Sequence, residues 1–412
     1  MKSGFSHKIK LTSLAISLSV GLTTGLATTS AFADPGFKKW IRDFRGVAAQ
    51  NGVRTSTYDA VFSGITSPDP EVIKSANFQP EFKSKVWDYM DNRITKSAIE
   101  KGQALKAQYK PWLDKIEKRY GVDRNILMAI WSMETSYGAA LERDSALRSV
   151  ARSLGTLAYQ DKRRRKFARS QLISAMKIVQ NGDVSARGLR GSWAGAMGHT
   201  QFIPTSYQAW AVDIDGDGKR NIWESVPDAL ASAANLLKKN GWRSGQTWGY
   251  EVRTPRGFKT SQVGTSSRTL GQWQKLGIKR VKGKQFPDRN RKANIKVLAG
   301  SNGPAFLMTK NFFVLKSYNN ADKYALAVGH LADKIAGYDD FAVDWPRGYT
   351  RLNEEESKEL QSRLLQKGFY DGEIDGKIGG GSKKAILSYQ KSVGLAQDGY
   401  ASKKVLSKLR GG

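Results

Sequence analysis

The 412-residue chain contains no cysteine and only 3 histidines. The lack of cysteine excludes disulfide bonds, thiol catalysis and a lipid anchor on a cysteine, and the scattered histidines do not form a histidine-rich metal site. Acidic residues are also scarce, because 37 Asp and Glu stand against 67 Lys and Arg, which gives a formal net charge of +30. We therefore expect an anionic partner, and nucleic acid, a membrane surface and an acidic polymer all fit that charge.

Long hydrophobic runs are missing as well, except near the start of the chain. The first ten residues are rich in lysine, an apolar segment interrupted by polar residues covers 11–27, and Ala31-Phe32-Ala33 fits a signal-peptide cleavage site. The pattern predicts a signal peptide over residues 1–33 and export of the mature protein to the periplasm, without a transmembrane segment or lipid anchor. Export argues against nucleic acid and favours an anionic component of the cell envelope as the partner.

The segment from Asp123 to Gly138 reads as an apolar helix that contains one acidic residue, Glu134. Asp123 suits the N-cap of this helix, and Gly138 suits a left-handed C-terminal end. Three apolar residues share the helix face of Glu134 at helical spacing: Leu127, Ile130 and Trp131. Burial disfavours the charged form of a carboxyl, raises its pKa and provides a general acid. A Glu at the edge of the core that forms a salt bridge or turns outward is the structural alternative.

The segment 191–207 combines small residues with polar and aromatic side chains. The small residues permit close approach of the backbone to a ligand or to a neighbouring helix. Its hydroxyl, amide and aromatic groups come from Ser192, Trp193, Gln201, Phe202 and Tyr207. This mixture is typical of a carbohydrate site, although tight helix packing would use a similar composition. We interpret His199 as structural.

Residues 213–224 follow the EF-hand loop pattern. Acidic residues occupy the first, third and fifth positions, Gly the sixth, Asn the ninth and Glu the twelfth. Hard oxygen ligands at this spacing predict a structural calcium ion, and no organic cofactor is expected. The expected ligands are Asp213, Asp215, Asp217, the backbone carbonyl of Lys219, Asn221 and Glu224. Asp228 is an additional or replacement ligand if the loop is longer than the standard pattern.

Helical spacing dominates the chain on both sides of the Glu134 segment, including a long pattern from Ala98 to Arg119. From 251 to 306, short alternating runs with many Gly, Lys and Arg predict a small, partly β insertion. A linker at 344–350 precedes a compact helical pattern that contains no cluster of catalytic residues. The sequence therefore predicts a mainly α protein with a small separate C-terminal domain.

The combination of motifs resembles the soluble, type B lytic murein transglycosylases. Residues 130–138 are similar to the family's catalytic-acid motif, 191–204 to its glycan-groove motif, and 213–224 to its calcium loop. The end of the chain resembles the type 1 peptidoglycan-binding domain, a three-helix module, at 368–376 and 385–390. Four motifs in the expected order make the resemblance specific.

The resemblance implies a fold and a domain arrangement. We expect a lysozyme-like α-helical catalytic domain over 34–345, which includes the EF-hand-like loop and the partly β insertion. A linker and the peptidoglycan-binding domain would cover 346–412. Without a lipid anchor, this second domain would localise the enzyme on the wall, and we expect a monomer whose partner is the glycan strand of peptidoglycan.

The family's chemistry is non-hydrolytic cleavage of the β-1,4 bond between N-acetylmuramic acid and N-acetylglucosamine. Ordinary glycosidases use two carboxylates, whereas here Glu134 would first protonate the glycosidic oxygen and then deprotonate the muramoyl 6-hydroxyl, closing a 1,6-anhydro ring. Motif matching implies that Ser192 hydrogen-bonds the catalytic carboxyl. The remaining substrate-binding residues implied are Gln201, Phe202, Tyr318, Asn319, Tyr324 and Tyr89.

Two other functions stay open at this level. A hydrolytic muramidase or chitinase would need a second carboxyl in the groove, for which Asp144 is the candidate. A non-catalytic wall-binding protein would tolerate Glu134→Gln without loss of function. The products of peptidoglycan digestion distinguish the three functions.

Overall fold

The computed structural model describes residues 33–77, 85–143, 147–258, 266–300 and 303–411. Residues 1–32 of the expected signal peptide and Asp144 lie outside these ranges. Within the described parts of the chain, none of the helices combines the length and the apolar character needed to cross a membrane.

The first part of the chain is helical up to Glu134 and the residue that follows it. Its helices are α1 (Pro35–Gln50), α2 (Thr55–Phe62), α3 (Pro70–Asn77), α4 (Val86–Asp91), α5 (Lys96–Gln108), α6 (Lys110–Tyr120) and α7 (Arg124–Thr135). The helical pattern expected between Ala98 and Arg119 is divided between two helices, α5 and α6, which meet at Tyr109. Pro111 lies in the first turn of α6, where its missing N–H is not needed.

Further helices surround α7. They are α8 (Val150–Gln160), α9 (Arg165–Gln180), α10 (Pro204–Trp210), α11 (Val226–Lys239), α13 (Lys310–Tyr318) and α14 (Asp322–Ile335). Helix α7 packs against α5, α6, α11 and α14, and nearly every one of its residues is buried. A helix that is apolar all round belongs inside a core. The single acid of this helix, Glu134, is therefore surrounded in the chain by buried residues, although it is itself only half-buried.

Residues between α11 and α13 form a five-stranded antiparallel sheet in the order β4-β6-β7-β3-β5. Its elements are β3 (Gly249–Arg253), β4 (Arg268–Thr269), α12 (Leu270–Lys275), β5 (Lys279–Arg280), β6 (Lys292–Val297) and β7 (Ala305–Met308). Alternate residues of β7 enter different cores: Phe306 and Met308 join the helical body, while Ala305 and Leu307 pack with Trp273 of α12. The predicted small, partly β insertion is confirmed. A separate two-stranded ladder joins β1 (Arg148–Ser149) to β2 (Arg190–Gly191).

The C-terminal part contains α15 (Glu354–Gln366), α16 (Gly380–Ser392) and α17 (Lys403–Arg410). These helices share a core of their own, with Leu360, Ile386 and Leu406 fully buried in it. The expected three-helix module is confirmed. It follows directly after a linker segment that contacts α4.

Candidate active site

The segment that carries Glu134 is anchored at both ends of α7. Asp123 caps the N-terminus as expected, because its Oδ1 accepts a 2.7 Å hydrogen bond from the backbone N–H of Asn125. The expected end of the helix at Gly138 is wrong. The helix stops at Thr135, whose Oγ1 accepts the backbone N–H of Gly138 at 3.1 Å and thereby diverts the chain from the helical path.

Two non-glycine residues after α7 adopt left-handed backbone conformations. The φ angles are 52° at Ser136 and 59° at Tyr137, followed by 87° at Gly138. The left-handed conformation costs a non-glycine residue about 1–2 kcal/mol, and such strain concentrates at functional sites. A tight reversal directly behind Glu134 is therefore maintained at an energetic cost.

Glu134 is half-buried and contacts α14 through Tyr324. The Tyr324 hydroxyl donates a 2.6 Å hydrogen bond to Oε1 of Glu134. Burial, together with the adjacent Glu134 carboxylate, raises the pKa of Tyr324 well above its ordinary value. Tyr324 therefore stays protonated across the physiological range and acts as a permanent donor that orients the carboxyl.

Tyr318 and Phe202 complete an aromatic wall beside this pair. The rings of Tyr318 and Tyr324 are nearly parallel with centroids 6.5 Å apart, and Phe202 meets Tyr318 edge-on at 5.9 Å. The Tyr318 hydroxyl donates to the carbonyl of Thr200 at 2.6 Å. This bond attaches α13 to the glycan-groove segment, so the structure brings residues 191–207 to the same place as Glu134.

Tyr89 reaches the site from α4. Repulsion from Tyr89 adds to the effects of burial and of Glu134 in raising the pKa of Tyr324. Two cations flank the Tyr89 ring, with Lys323 Nζ 5.2 Å and Arg93 Cζ 5.6 Å from its centroid. Arg93 also donates to the carbonyl of Met133 at 3.2 Å. The sequence motifs did not identify these two cations, and the only signal for Lys323 was its position next to Tyr324.

Ser192, Gln201 and Asn319 make local hydrogen bonds. Ser192 Oγ accepts the backbone N–H groups of Ala196 at 3.0 Å and Ala194 at 3.4 Å, and its expected bond to the catalytic carboxyl stays a prediction. Asn319 Oδ1 accepts the N–H of Ala321 at 3.2 Å. The side chains of Ser192 and Asn319 thus stabilise the loops that carry them.

Gln201 is the least satisfied polar group of the segment. It adopts a left-handed conformation with φ 50°, and its Nε2 donates to the carbonyl of Gly198 at 2.9 Å. Its Oε1 is buried and has no hydrogen-bond partner among the described residues. A buried acceptor without a donor costs about 1–3 kcal/mol, and the substrate-binding role of Gln201 stays a prediction.

His199 joins the segment to α7. Its Nδ1 accepts the indole N–H of Trp131 at 3.1 Å, and its carbonyl accepts the hydroxyl of Thr135 at 2.8 Å. Burial lowers the pKa of His199 to about 4, so the imidazole is neutral at neutral pH. These contacts agree with a structural role.

The acidic loop gathers four carboxylates. Ligand oxygens of Asp213, Asp215, Asp217 and Asp228 lie within 4.8 Å of one another. Asp228 is fully buried, and this burial raises its pKa to about 6. The negative charges of Asp215 and Asp213 also raise the pKa of Asp228. Such a set of hard oxygens fits a divalent cation such as calcium, which would offset this repulsion.

Asp228 rather than Glu224 joins the three loop aspartates, because α11 begins at Val226 and carries Asp228 back to the loop. Glu224 is exposed and accepts a 3.3 Å bond from the side chain of Asn221. The amide oxygen of Asn221 in turn accepts the backbone N–H groups of Trp223 and Glu224, and Lys219 donates its N–H to Asp217 at 2.8 Å. The ligand roles of these residues stay predictions.

The acidic loop lies directly against the glycan-groove segment. The carbonyl of Ile222 accepts the N–H of His199 at 2.9 Å. A Cβ at Gly198, where φ is 67°, would lie only 2.3 Å from the same oxygen. The conformation of the loop and that of the groove segment are therefore linked by direct contact.

The structure has the features of a lysozyme-like class of wall-cleaving enzyme. These features are a helical body around one half-buried Glu, an aromatic wall beside that Glu, and a separate three-helix module. The comparisons agree: the family model described as Transglycosylase SLT domain matches residues 36–333, and Putative peptidoglycan binding domain matches 353–409. The chain belongs to this lytic transglycosylase family. The family, fold class and enzyme class predicted from the motifs are confirmed.

The chain is similar to several characterised relatives. It is 30% identical over 261 residues to membrane-bound lytic murein transglycosylase B of Escherichia coli. The matched region covers 60% of this chain and 66% of that protein, which is just under two thirds of its length. A crystal structure of SltB3 from Pseudomonas aeruginosa in complex with NAG-NAM-pentapeptide shares 43% identity, with a TM-score of 0.73 and coverage of 92% of this chain and 100% of the other. Soluble lytic transglycosylase SltB1 from Pseudomonas aeruginosa shares 26% identity, with a TM-score of 0.63 and coverage of 74% and 99%.

Proposed function

We propose that the chain cleaves the β-1,4 bond between N-acetylmuramic acid and N-acetylglucosamine in peptidoglycan and leaves 1,6-anhydromuramic acid ends. The observation that carries the proposal is the hydrogen bond from Tyr324 to Glu134 inside an aromatic groove. Among the described residues of the sequence motifs, Glu134 is the only acidic residue that a hydrogen bond orients in this groove. The complex of the relative SltB3 with NAG-NAM-pentapeptide supports a glycan of this kind as the substrate.

The geometry supports a two-step proton transfer at one carboxyl. Oε1 of Glu134 accepts the Tyr324 hydroxyl, so the acidic proton of neutral Glu134 belongs on Oε2. In the first step this proton passes to the glycosidic oxygen as the bond from the muramoyl C1 to that oxygen breaks. In the second step the carboxylate accepts the proton of the muramoyl 6-hydroxyl while O6 bonds to C1. The proton count balances, Glu134 is regenerated, and water is not consumed.

Further residues would bind and orient the sugar. The buried Oε1 of Gln201 would accept a hydrogen bond from a sugar hydroxyl or acetamido N–H, which removes its unsatisfied state. Phe202, Tyr318 and Tyr89 would offer apolar faces to the pyranose ring. Ser192 and Asn319 would hold the loops on which these groups lie.

Calcium would bind Asp213, Asp215, Asp217 and Asp228, with oxygens of Lys219, Asn221 or Glu224 as additional ligands. When bound, the ion supplies charge neutralisation to the loop and no chemistry at the glycosidic bond. The C-terminal module would bind peptidoglycan, and the N-terminal segment would direct export to the periplasm. The strongly basic surface suits contact with the anionic envelope.

The decisive experiment is mass spectrometry of the products that the mature protein releases from purified peptidoglycan. We expect muropeptides that end in 1,6-anhydromuramic acid, and none from Glu134→Gln, because the amide keeps the shape but cannot donate and retake a proton. Reducing ends that contain an added water would identify a hydrolase instead. Binding of peptidoglycan without any product would identify a wall-binding protein.

A further inference from the structure

Helix α4 lies between the active site and the C-terminal part of the molecule. It is only 6 residues long, and its N-cap, Lys85, makes no side-chain capping bond. Helices this short are not stable by themselves. The groups packed on both sides of α4 therefore determine where it lies.

One side of α4 faces the active site. Helix α4 packs against α14, which carries Tyr324, and Lys323 Nζ lies 5.2 Å from the centroid of the Tyr89 ring. Arg93, just after α4, donates to the carbonyl of Met133 at 3.2 Å. Met133 immediately precedes Glu134 in the chain. A displacement of α4 would therefore move two groups that touch the immediate surroundings of the catalytic carboxyl.

The other side of α4 is held by the linker. Arg347 makes a two-pronged contact with Asp91, with Nη2 to Oδ1 at 2.8 Å and Nε to Oδ2 at 3.3 Å. Arg351 adds a third cationic contact at 3.0 Å, and Trp345 lies against Trp87 with ring centroids 6.4 Å apart. The side chains of Arg347 and Asp91 are 14% and 20% exposed. Solvent therefore screens this pair less than an exposed pair, and its paired geometry fixes orientation as well as distance.

The three-helix module holds the same side of α4. The hydroxyl of Tyr400 donates to Oδ2 of Asp88 at 3.2 Å, and Tyr349 of the linker stacks on Tyr400 with centroids 4.3 Å apart. A cleft of about 1070 Å³ opens beside these contacts and is lined by both domains, but Glu134 does not line it. The contacts on this side of α4 thus come from the linker and from the three-helix module that follows it.

We propose that Asp91, held by Arg347, is a positioning residue for the transglycosylase reaction. The pair fixes α4, and α4 in turn keeps Tyr89 beside Tyr324 and Arg93 on the carbonyl of Met133. The C-terminal part therefore helps to build the active site in addition to attaching the enzyme to the wall. The inference rests on the proposed function, because the reaction it serves is the cleavage at Glu134.

The test uses the full mature chain and short, soluble, peptide-free glycan strands, so that attachment to insoluble wall does not enter the rate. Asp91→Asn and Arg347→Gln are expected to lower kcat about tenfold with KM within about twofold, because small misplacements of catalytic groups lower the rate steeply. Arg347→Lys should recover part of kcat, and the double variant should be no slower than the single ones. The matched control is Asp161→Asn, which breaks a comparably buried Asp–Arg pair with Arg164, 9% and 15% exposed, and it should leave kcat unchanged.

Hydrogen exchange of the same proteins supplies a readout that does not depend on activity. In Asp91→Asn and Arg347→Gln, the amides of α4 and of the last turn of α7 should exchange faster, while those of α7 should be unchanged in Asp161→Asn. An unchanged kcat, a rise in KM alone, or unchanged exchange in the last turn of α7 would overturn the positioning role. If the wild type releases no anhydro products, the proposed function fails. The exchange measurement then decides by itself whether loss of the Asp91–Arg347 pair loosens α4 and the last turn of α7.

Discussion

The hydroxyl of Tyr324 lies 2.6 Å from Oε1 of Glu134, although the two residues are 190 positions apart in the chain. This contact connects α7, which carries the acid, to α14, which supplies a donor that cannot ionise at physiological pH. The bond fixes the position of Oε1 relative to α14. In the proposed reaction, this contact would keep the carboxyl in one orientation while it gives up and takes back a proton.

Tyr324→Phe should reduce kcat by about ten- to a hundredfold, because a charge-assisted hydrogen bond contributes about 1.5–3 kcal/mol. The loss should appear mainly in kcat and should alter the pH dependence of the rate, since the bond acts on the ionisable carboxyl. Tyr58→Phe is the matched control, because it removes another buried hydroxyl, which donates to the carbonyl of Ile41 at 2.5 Å. If both variants lose stability equally and neither loses activity, the Tyr324 bond is structural only.

Gly198→Ala should destabilise the fold by about 3 kcal/mol or more. The new Cβ would lie 2.3 Å from the carbonyl oxygen of Ile222, which is backbone and cannot move aside like the end of a side chain, and the φ of 67° adds strain. Gly182→Ala is the control for the backbone term alone, because Gly182 has φ 83° and no atom within 4 Å of its Cβ position. We expect that control to cost about 1 kcal/mol. Urea unfolding midpoints compare the two, and similar losses would contradict a tight contact between groove segment and acidic loop.

Local patterns predicted the segment around Glu134 well and its surroundings poorly. The N-cap at Asp123 and the apolar face around Glu134 follow from spacing within one helix. The end of that helix at Thr135 depends on a side-chain bond back to Gly138, and the break between α5 and α6 depends on the backbone at Tyr109, which helical periodicity does not register. Such features are decided by individual hydrogen bonds and dihedral angles.

Contacts between distant segments were available only through the family resemblance or not at all. The resemblance supplied Tyr324 as a groove residue, but the pattern of the chain contains nothing that pairs it with Glu134. Arg93 and Lys323 lie in no motif and are recognised only when α4 and α14 are seen to meet. The pairing of Asp91 with Arg347 likewise crosses the expected domain boundary, which sequence patterns treat as a separation.

Calcium should stabilise the protein, and Asp228 should matter more for this effect than Glu224. Removing the ion with a chelator should lower Tm by several degrees, since a ligand at a hundred times its Kd contributes about 2.7 kcal/mol. Asp228→Asn should lose most of this calcium-dependent shift, because its carboxylate lies with those of the three loop aspartates. Glu224→Gln should keep it. The reverse order would mean that the standard loop, ending at Glu224, holds the ion, and an identical Tm with and without chelator would reject a structural ion.

The pH dependence of stability should contain two opposing contributions, from His199 and Asp333. Burial lowers the pKa of His199 to about 4, so between about pH 6.5 and 4 the unfolded chain binds more protons, and stability is lost as pH falls. Asp333 has the opposite sign. Burial raises the pKa of Asp333 to about 7, and the negative charge of Asp123 raises it further. A 3.0 Å hydrogen bond from the Trp248 indole N–H acts in the opposite direction. The folded state then binds more protons between about pH 4 and 7, and this contribution is lost as pH rises.

Substitutions should separate the two contributions. His199→Gln keeps an acceptor for Trp131 and should flatten the loss of stability on the acid side, whereas Asp333→Asn keeps an acceptor for Trp248 and should make the protein relatively more stable towards pH 7. Before solvent screening the effects should be on the order of 3–4 kcal/mol, because each pKa unit corresponds to about 1.4 kcal/mol. Screening of the partly exposed side chains should reduce them. The measurement is the urea unfolding free energy of each protein at several pH values from 4 to 8. Parallel curves for the wild type and Asp333→Asn would show that this carboxyl titrates normally. The pH profile of kcat should stay in place in both variants.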